Sequence, residues 1–318
     1  MTHLIALVVQ LLHCCLVLAA APLALGLSRR AAARLAGRTG PPLTQPWRDL
    51  RRLLRKQALF AETASKPFEA APALAFAASL LAAALVPSFA LGMAAAPFSD
   101  LIVVAGLLLL SRTTLSLAAL ETGTAVGGIG ASRAMALAGC TEPALLLAIL
   151  PLALLVGTTN LDVMAGVLRE GTIGVRLPLV LAVAALLVVA VARLRGPAVP
   201  ATTLLRETAL AEAALVEEYS GRHLALLHWS GALRRLVWLS LLADLAVPYG
   251  LADATGSPVS WLLGAVLWAV KTGVLTLVLA VWQGGRAARP GRLAEVLGLA
   301  LLLGALAAAF LFAGQGLA

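Results

Sequence analysis

Long apolar runs separated by short polar breaks extend along the whole chain, and their spacing predicts eight helices able to cross a bilayer. The runs fall at roughly 4–27, 71–94, 98–120, 132–157, 176–194, 235–251, 258–282 and 293–313, near the ~20 residues a span needs. Pro143 and Pro151 interrupt the fourth, and the sixth is short. No Lys or Arg precedes the first run, and it exceeds the ~7–15 apolar residues of a signal peptide, so it reads as an uncleaved span. The fold expected is an all-α polytopic membrane protein, a single integral membrane domain over 1–318.

The longest polar breaks are 28–70, which is basic, and 195–234, which mixes acids and bases. Composition agrees with the pattern: 318 residues, 61% hydrophobic and 12% charged, with a mean hydropathy of +0.97. A soluble domain carries about a quarter charged residues. The net charge of +9 does not indicate nucleic-acid binding, because the basic residues cluster between apolar runs. Of the 24 Lys and Arg, twenty fall in or at the edges of the odd-numbered breaks. By the positive-inside rule those breaks are cytoplasmic and both termini are extracytoplasmic.

Within the first break, Gly40-Pro41-Pro42-Leu43-Thr44-Gln45-Pro46 cannot be helical, since each proline lacks an N–H and restrains the residue before it. The segment from Trp47 to Lys56 then reads as a short basic amphipathic helix with Trp47, Leu50, Leu53 and Leu54 on one face. It suits either an interfacial helix on anionic lipid or a docking surface, through Trp47, Arg48, Arg51 and Arg52, for a soluble partner.

Ionisable residues inside spans are costly and point to function. Arg112, Glu142, Asp244 and Lys271 each lie about 14–18 Å from a span end, so they can form one layer near mid-membrane. Two readings stand. Glu142 and Asp244 exchange protons along a hydrated path tuned by Arg112 and Lys271, or the four charges pair and hold helices together. In the charged stretch Leu204–Arg235, helical phase puts Glu207 and Glu218 on one side with Arg222 a turn beyond, and Glu212 and Glu217 elsewhere.

Other chemistry lacks its pattern. Cys14, Cys15 and Cys140 have no C-x-x-C spacing and read as small residues buried in helices. Gly128 and Gly130 open a dinucleotide fingerprint whose third glycine is missing; glycines here suit close backbone approach, with Ser132 near a helix start. No G-x-S-x-G, H-E-x-x-H or P-loop occurs, and haem ligation by His13, His223 or His228 has no supporting motif. The five aspartates are isolated, which excludes an intramembrane transferase built on clustered aspartates and Mg²⁺.

Three segments together, GPPLTQPWRDLRRLLRKQ (40–57), LETGTAVGGIGASRAMALAGCTEPALLL (120–147) and EEYSGRHLALLHW (217–229), resemble the formate hydrogenlyase subunit 4 family, which is similar to subunit 1, or H, of respiratory complex I. The resemblance implies a non-catalytic subunit of a bacterial-type plasma membrane that anchors a cytoplasmic redox module. The implied partners are hydrogenase large and small subunits, iron–sulfur subunits and antiporter-like membrane subunits. It implies that the nickel–iron (NiFe) centre and iron–sulfur clusters are held by partners, with no cofactor or metal bound by this chain. It also implies charge-path roles for Glu121, Glu142, Glu212, Glu217 and Glu218, and makes Tyr219, Arg222 and His223 of the Y-S-G-R-H run docking residues. Two alternatives remain: a quinone-chamber subunit of an NADH:quinone oxidoreductase, and a stand-alone ion or proton transporter.

Overall fold

The computed structural model describes residues 2–59, 64–171, 177–194, 215, 218–285 and 293–315. Ten helices and two strands follow in order: α1 (Thr2–Leu35), α2 (Gln45–Leu54), α3 (Lys66–Leu85), β1 (Ala90–Leu91), α4 (Leu101–Glu121), α5 (Ala125–Val156), α6 (Leu161–Glu170), α7 (Leu177–Arg193), α8 (Gly221–Ala246), β2 (Ala252–Asp253), α9 (Pro258–Gly285) and α10 (Leu293–Gln315). The two short strands pair in parallel, Ala90 with Ala252 and Leu91 with Asp253. All other regular structure among the described residues is helical.

Among the described residues six helices, α1, α3, α4, α5, α9 and α10, are long and apolar enough to cross a membrane. Two further helices lie where the remaining two spans are expected, without meeting that length and composition. At 17 residues, α7 is apolar but shorter. The 26-residue α8 carries Arg222, Arg234, Arg235 and Asp244. Every residue from Ala232 to Leu245 is buried, so α8 is a buried post against which α1, α2, α3, α7 and α9 pack. Its polar side chains meet protein instead of lipid.

Several expected boundaries shift, each for a local reason. The helix expected at 71–94 is α3, which ends at Leu85 because Pro87 drives Val86 into an extended conformation (φ −82°, ψ 117°). The helix expected at 235–251 is α8. It starts at Gly221, inside the stretch expected as a loop, and ends before the matching pair Val247-Pro248. After both Val-Pro breaks the chain runs extended, and these two runs form the β1–β2 pair, flanked by Ala252 N–H to the Phe89 carbonyl (2.8 Å) and Ala254 N–H to that of Leu91 (2.8 Å). Gly264 of α9 lies against this pair, where a Cβ would come within 2.5 Å of the Phe89 oxygen.

Pro143 and Pro151 do not break the fourth span; both sit inside the continuous 32-residue α5. That helix starts at Thr124, whose hydroxyl accepts the Gly127 N–H (3.0 Å), so Ser132 lies in its third turn and does not start it. Within the glycine-rich run expected to approach a neighbour closely, Gly127 does so, since a Cβ there would meet the Ala119 oxygen of α4 at 2.4 Å, whereas Gly128 faces open space. Cys15 and Cys140 are exposed on helix surfaces and not buried.

Candidate functional site

At the end of the molecule where α1 finishes and α3 and α8 begin, the basic end, three consecutive residues lock separate segments together. The Tyr219 hydroxyl donates to the Phe68 carbonyl (2.6 Å), and its ring stacks on Phe68 with centroids 4.5 Å apart. Burial pushes the Tyr219 phenol well above its usual range, with the negative charge of Glu121 adding to the effect, so it stays a neutral donor. The Ser220 hydroxyl accepts the Leu59 N–H (2.7 Å) and donates to the Leu59 carbonyl (3.1 Å). Gly221 has φ +53°, and a Cβ would lie 2.4 Å from the Gln57 oxygen. Only glycine combines that backbone with that approach. Beside the clamp, the exposed Glu121 accepts the Ser65 N–H (3.1 Å), tying α4 to the start of α3.

The helical phase expected across 207–222 does not run through this point. The chain breaks at Tyr219-Ser220, Ser220 immediately precedes α8 without a side-chain capping bond, and Glu218 and Arg222 fall on different sides of the break. Both are exposed, and His223 is half-buried. Glu207, Glu212 and Glu217 lie outside the described residues.

Helix α2 packs its apolar face inward, with Leu50 and Leu53 against Ala225 of α8. The Trp47 indole donates to the Ala19 carbonyl of α1 (3.1 Å) and meets Trp229 edge-on at 5.8 Å. Leu54, expected on the same face, is exposed. The face that would rest on lipid is thereby used against protein, while Arg48, Arg51, Arg52 and Arg55 point outward.

Deeper in, a layer of guanidinium groups crosses the core. Arg193, at the end of α7, forms an ion pair with Glu142 of α5, with side chains 3% and 23% exposed. Arg112 donates to the Arg193 carbonyl (3.3 Å). Arg234 donates to the hydroxyls of Ser111 (2.9 Å) and Ser230 (3.3 Å), and Ser111 also contacts the Ser79 hydroxyl (2.8 Å). Arg235 donates to the Ser28 hydroxyl (2.8 Å) and the Leu194 carbonyl (3.4 Å). Four helices, α1, α4, α5 and α8, and the end of α7 are thus joined by charge-assisted hydrogen bonds, and the Ser79–Ser111 contact adds α3. Of this layer, only Arg112 and Glu142 stood out in the sequence. Arg193, Arg234 and Arg235 sit in or at the edges of the 195–234 polar break and so count there as loop charges; the four-residue spacing of Ser230 and Arg234, one turn of helix, is the available signal.

Asp244 and Lys271 form a second level, so the single layer expected for the four charges divides in two. Asp244 is nine residues beyond Arg235 on α8, roughly 14 Å further along the axis. Both its carboxylate oxygens are buried without a hydrogen-bond partner. Lys271 acts on it electrostatically but gives its hydrogen bonds to the Val247 carbonyl (2.6 Å) and the Tyr249 carbonyl, at the broken end of α8. Nearby, Trp268 donates to Ser240 (3.0 Å). His13 is fully buried, with one ring nitrogen on the Ala83 carbonyl (3.0 Å) and the other on the Ser88 hydroxyl (2.6 Å). No ring nitrogen is left for haem. Among the described residues no three His, Cys, Asp or Glu are placed to hold a metal ion.

The opposite end is closed by short polar contacts. Asn160 caps α6, the Asp162 carboxylate accepts the Gly92 N–H (3.0 and 3.1 Å), and Arg169 pairs with Asp253 (3.1 Å). Burial, with the negative charge of Asp253 adding, raises the Asp162 carboxyl above its usual range against the lowering effect of the Gly92 bond.

Comparison with known proteins agrees with this architecture. The chain is 33% identical to hydrogenase-4 component C of Escherichia coli (strain K12) over 235 residues, covering 73% of this chain and 72% of that one. It is 30% identical to formate hydrogenlyase subunit 4 of the same organism over 277 residues, covering 87% and 89%. Among solved structures, a chain of the membrane-bound sulfane sulfur reductase, an archaeal respiratory membrane complex, superposes with a TM-score of 0.75 at 21% identity, covering 97% of this chain and 99% of that one, a likeness of fold. The profile of the NADH dehydrogenase family matches residues 7–312, and with six membrane-crossing helices and hydrogenase-component relatives this chain is a multi-pass membrane subunit belonging to that family.

Proposed function

We propose that this chain is the membrane-anchoring and proton-coupling subunit of a hydrogenase-type, complex-I-like oxidoreductase in a bacterial-type plasma membrane. The basic end receives a cytoplasmic module of hydrogenase large and small subunits and iron–sulfur proteins, which hold the NiFe centre and clusters. Antiporter-like membrane subunits stand alongside. The observation that carries the reading is the stacking of two features: a clamped platform with outward Arg48, Arg51 and Arg52, and behind it a buried charged layer in which Glu142 is the paired carboxylate. The platform suits docking through these arginines and the exposed Arg222, with half-buried His223 beside them. The buried Tyr219 and the inward-packed Trp47, expected as docking residues, hold the platform in shape from behind. Glu142 and Asp244 are carboxylates able to carry protons at two successive depths, with Glu121 at the entrance.

The test is purification of the tagged chain from its native membranes, followed by activity in sealed vesicles. The expected result is retention of a soluble redox module, with Glu142→Gln and Asp244→Asn each keeping the module while abolishing redox-driven proton movement. Full proton movement in both variants would overturn the coupling role. A chain that purifies alone as an active transporter would overturn the whole reading.

A further inference from the structure

Lys271 is placed where hydrocarbon cannot be its neighbour. It is thirteen residues from Pro258 at one end of α9 and fourteen from Gly285 at the other, which puts it about 20 Å from both. Around it α9 presents an apolar surface, with Val266, Val270, Val274 and Val278 exposed at helical spacing. The broken end of α8 reaches the same depth, because Lys271 bonds the Val247 and Tyr249 carbonyls there. Val247 is 47% exposed and Tyr249 64% exposed. A half-buried ammonium and irregular backbone therefore open onto the side of the molecule midway along a membrane-crossing helix. Irregular backbone and charge persist at that depth only when covered by protein or water.

We infer that this flank, Val247, Tyr249, Val270, Lys271 and Val274, is a lateral interface for a membrane-spanning helix of another subunit, carrying a carboxylate that faces Lys271. Charge complementarity selects the partner. The ammonium has three donors, and two are used by the carbonyls of α8, which leaves one for an acceptor outside the chain. Asp244 does not meet that need, since both of its oxygens lack a hydrogen-bond partner. The apolar valines on either side supply the packing surface. The inference rests on the reading of the chain as one subunit of a larger membrane complex.

The test places a photoreactive p-benzoylphenylalanine at Tyr249 in the full complex in native membranes, and sequences the adducts formed on illumination. The expected adduct joins a transmembrane segment of a different subunit that bears Asp or Glu. Its yield should fall at least about tenfold in Lys271→Met and hold in Lys271→Arg. Adducts only with lipid, with a second copy of this chain or with soluble protein would overturn the inference. If Lys271→Met does not accumulate, the adduct formed with Lys271 present decides the matter. A retained redox module with lipid-only adducts defeats this inference alone. A transmembrane adduct without any redox module defeats the proposed function alone.

Discussion

Gly221 shows how one residue carries a motif. Its φ of +53° and its 2.4 Å approach to the Gln57 oxygen leave no room for a side chain. Gly221→Val is expected to release the segment after α2, lowering the melting temperature of the detergent-solubilised protein and speeding proteolysis at Leu59, whose backbone is no longer held by Ser220. Tyr219→Phe is a milder test: it strands the Phe68 carbonyl and should cost about 1–3 kcal/mol in a denaturation experiment. Arg193→Met leaves Glu142 without its counter-charge and should cost about 3–5 kcal/mol in the same assay. Asp162 gives a pH signature. Its carboxyl is raised in the folded state, so it favours folding below the ordinary carboxylate range and loses that contribution as pH rises through the raised value. Asp162→Asn, neutral throughout, should therefore lose less stability than the wild type between pH 4 and pH 7, as read by thermal melts. An equal loss in both would contradict this.

At the scale of elements, α8 explains which parts of the fold were legible in the sequence. Apolar length located α1, α4, α5, α9 and α10 well, because lipid-facing helices must be uniformly apolar. It misplaced α8, since a helix wrapped entirely by protein need not meet that criterion and can carry Arg234 and Arg235 inside. The ends of α3 and α8 were visible as Val86-Pro87 and Val247-Pro248, yet an apolar count runs straight through a proline. The same count saw the α2 stripe correctly but not what would cover it, as Leu53 and Ala225 are far apart in sequence. Gly264→Val probes the β1–β2 pair: a Cβ 2.5 Å from the Phe89 oxygen should push α9 away and weaken the membrane-extracted protein to heat.

For the whole molecule, charge is sorted by depth. Arginines face outward on α2, form hydrogen-bonded ties in the buried layer, and give way to Lys271 and Asp244 further along. Glu142 and Asp244 could be picked out from the sequence because each interrupts an apolar run. Their separation into two levels could not, because it depends on where α8 starts, and the start is set by Ser220 and Gly221 and not by hydropathy. If the two levels work in series, Glu142→Gln and Asp244→Asn should each stop proton movement, and the double variant should be no worse than either alone.

The buried arginines of α8 also constrain how the protein can be made. A helix carrying Arg234 and Arg235 resists entry into lipid by about 2.5–3.5 kcal/mol for each arginine near its centre. Ser230, which receives Arg234, lies within α8 itself, yet the Ser28 and Ser111 hydroxyls and the Leu194 carbonyl that also receive these arginines precede α8 in the chain. During synthesis the acceptors are in the membrane before the donors emerge. α8 can then enter against an assembled α1, α4 and α7 instead of bare lipid, which makes the order of helices along the gene a condition of membrane insertion.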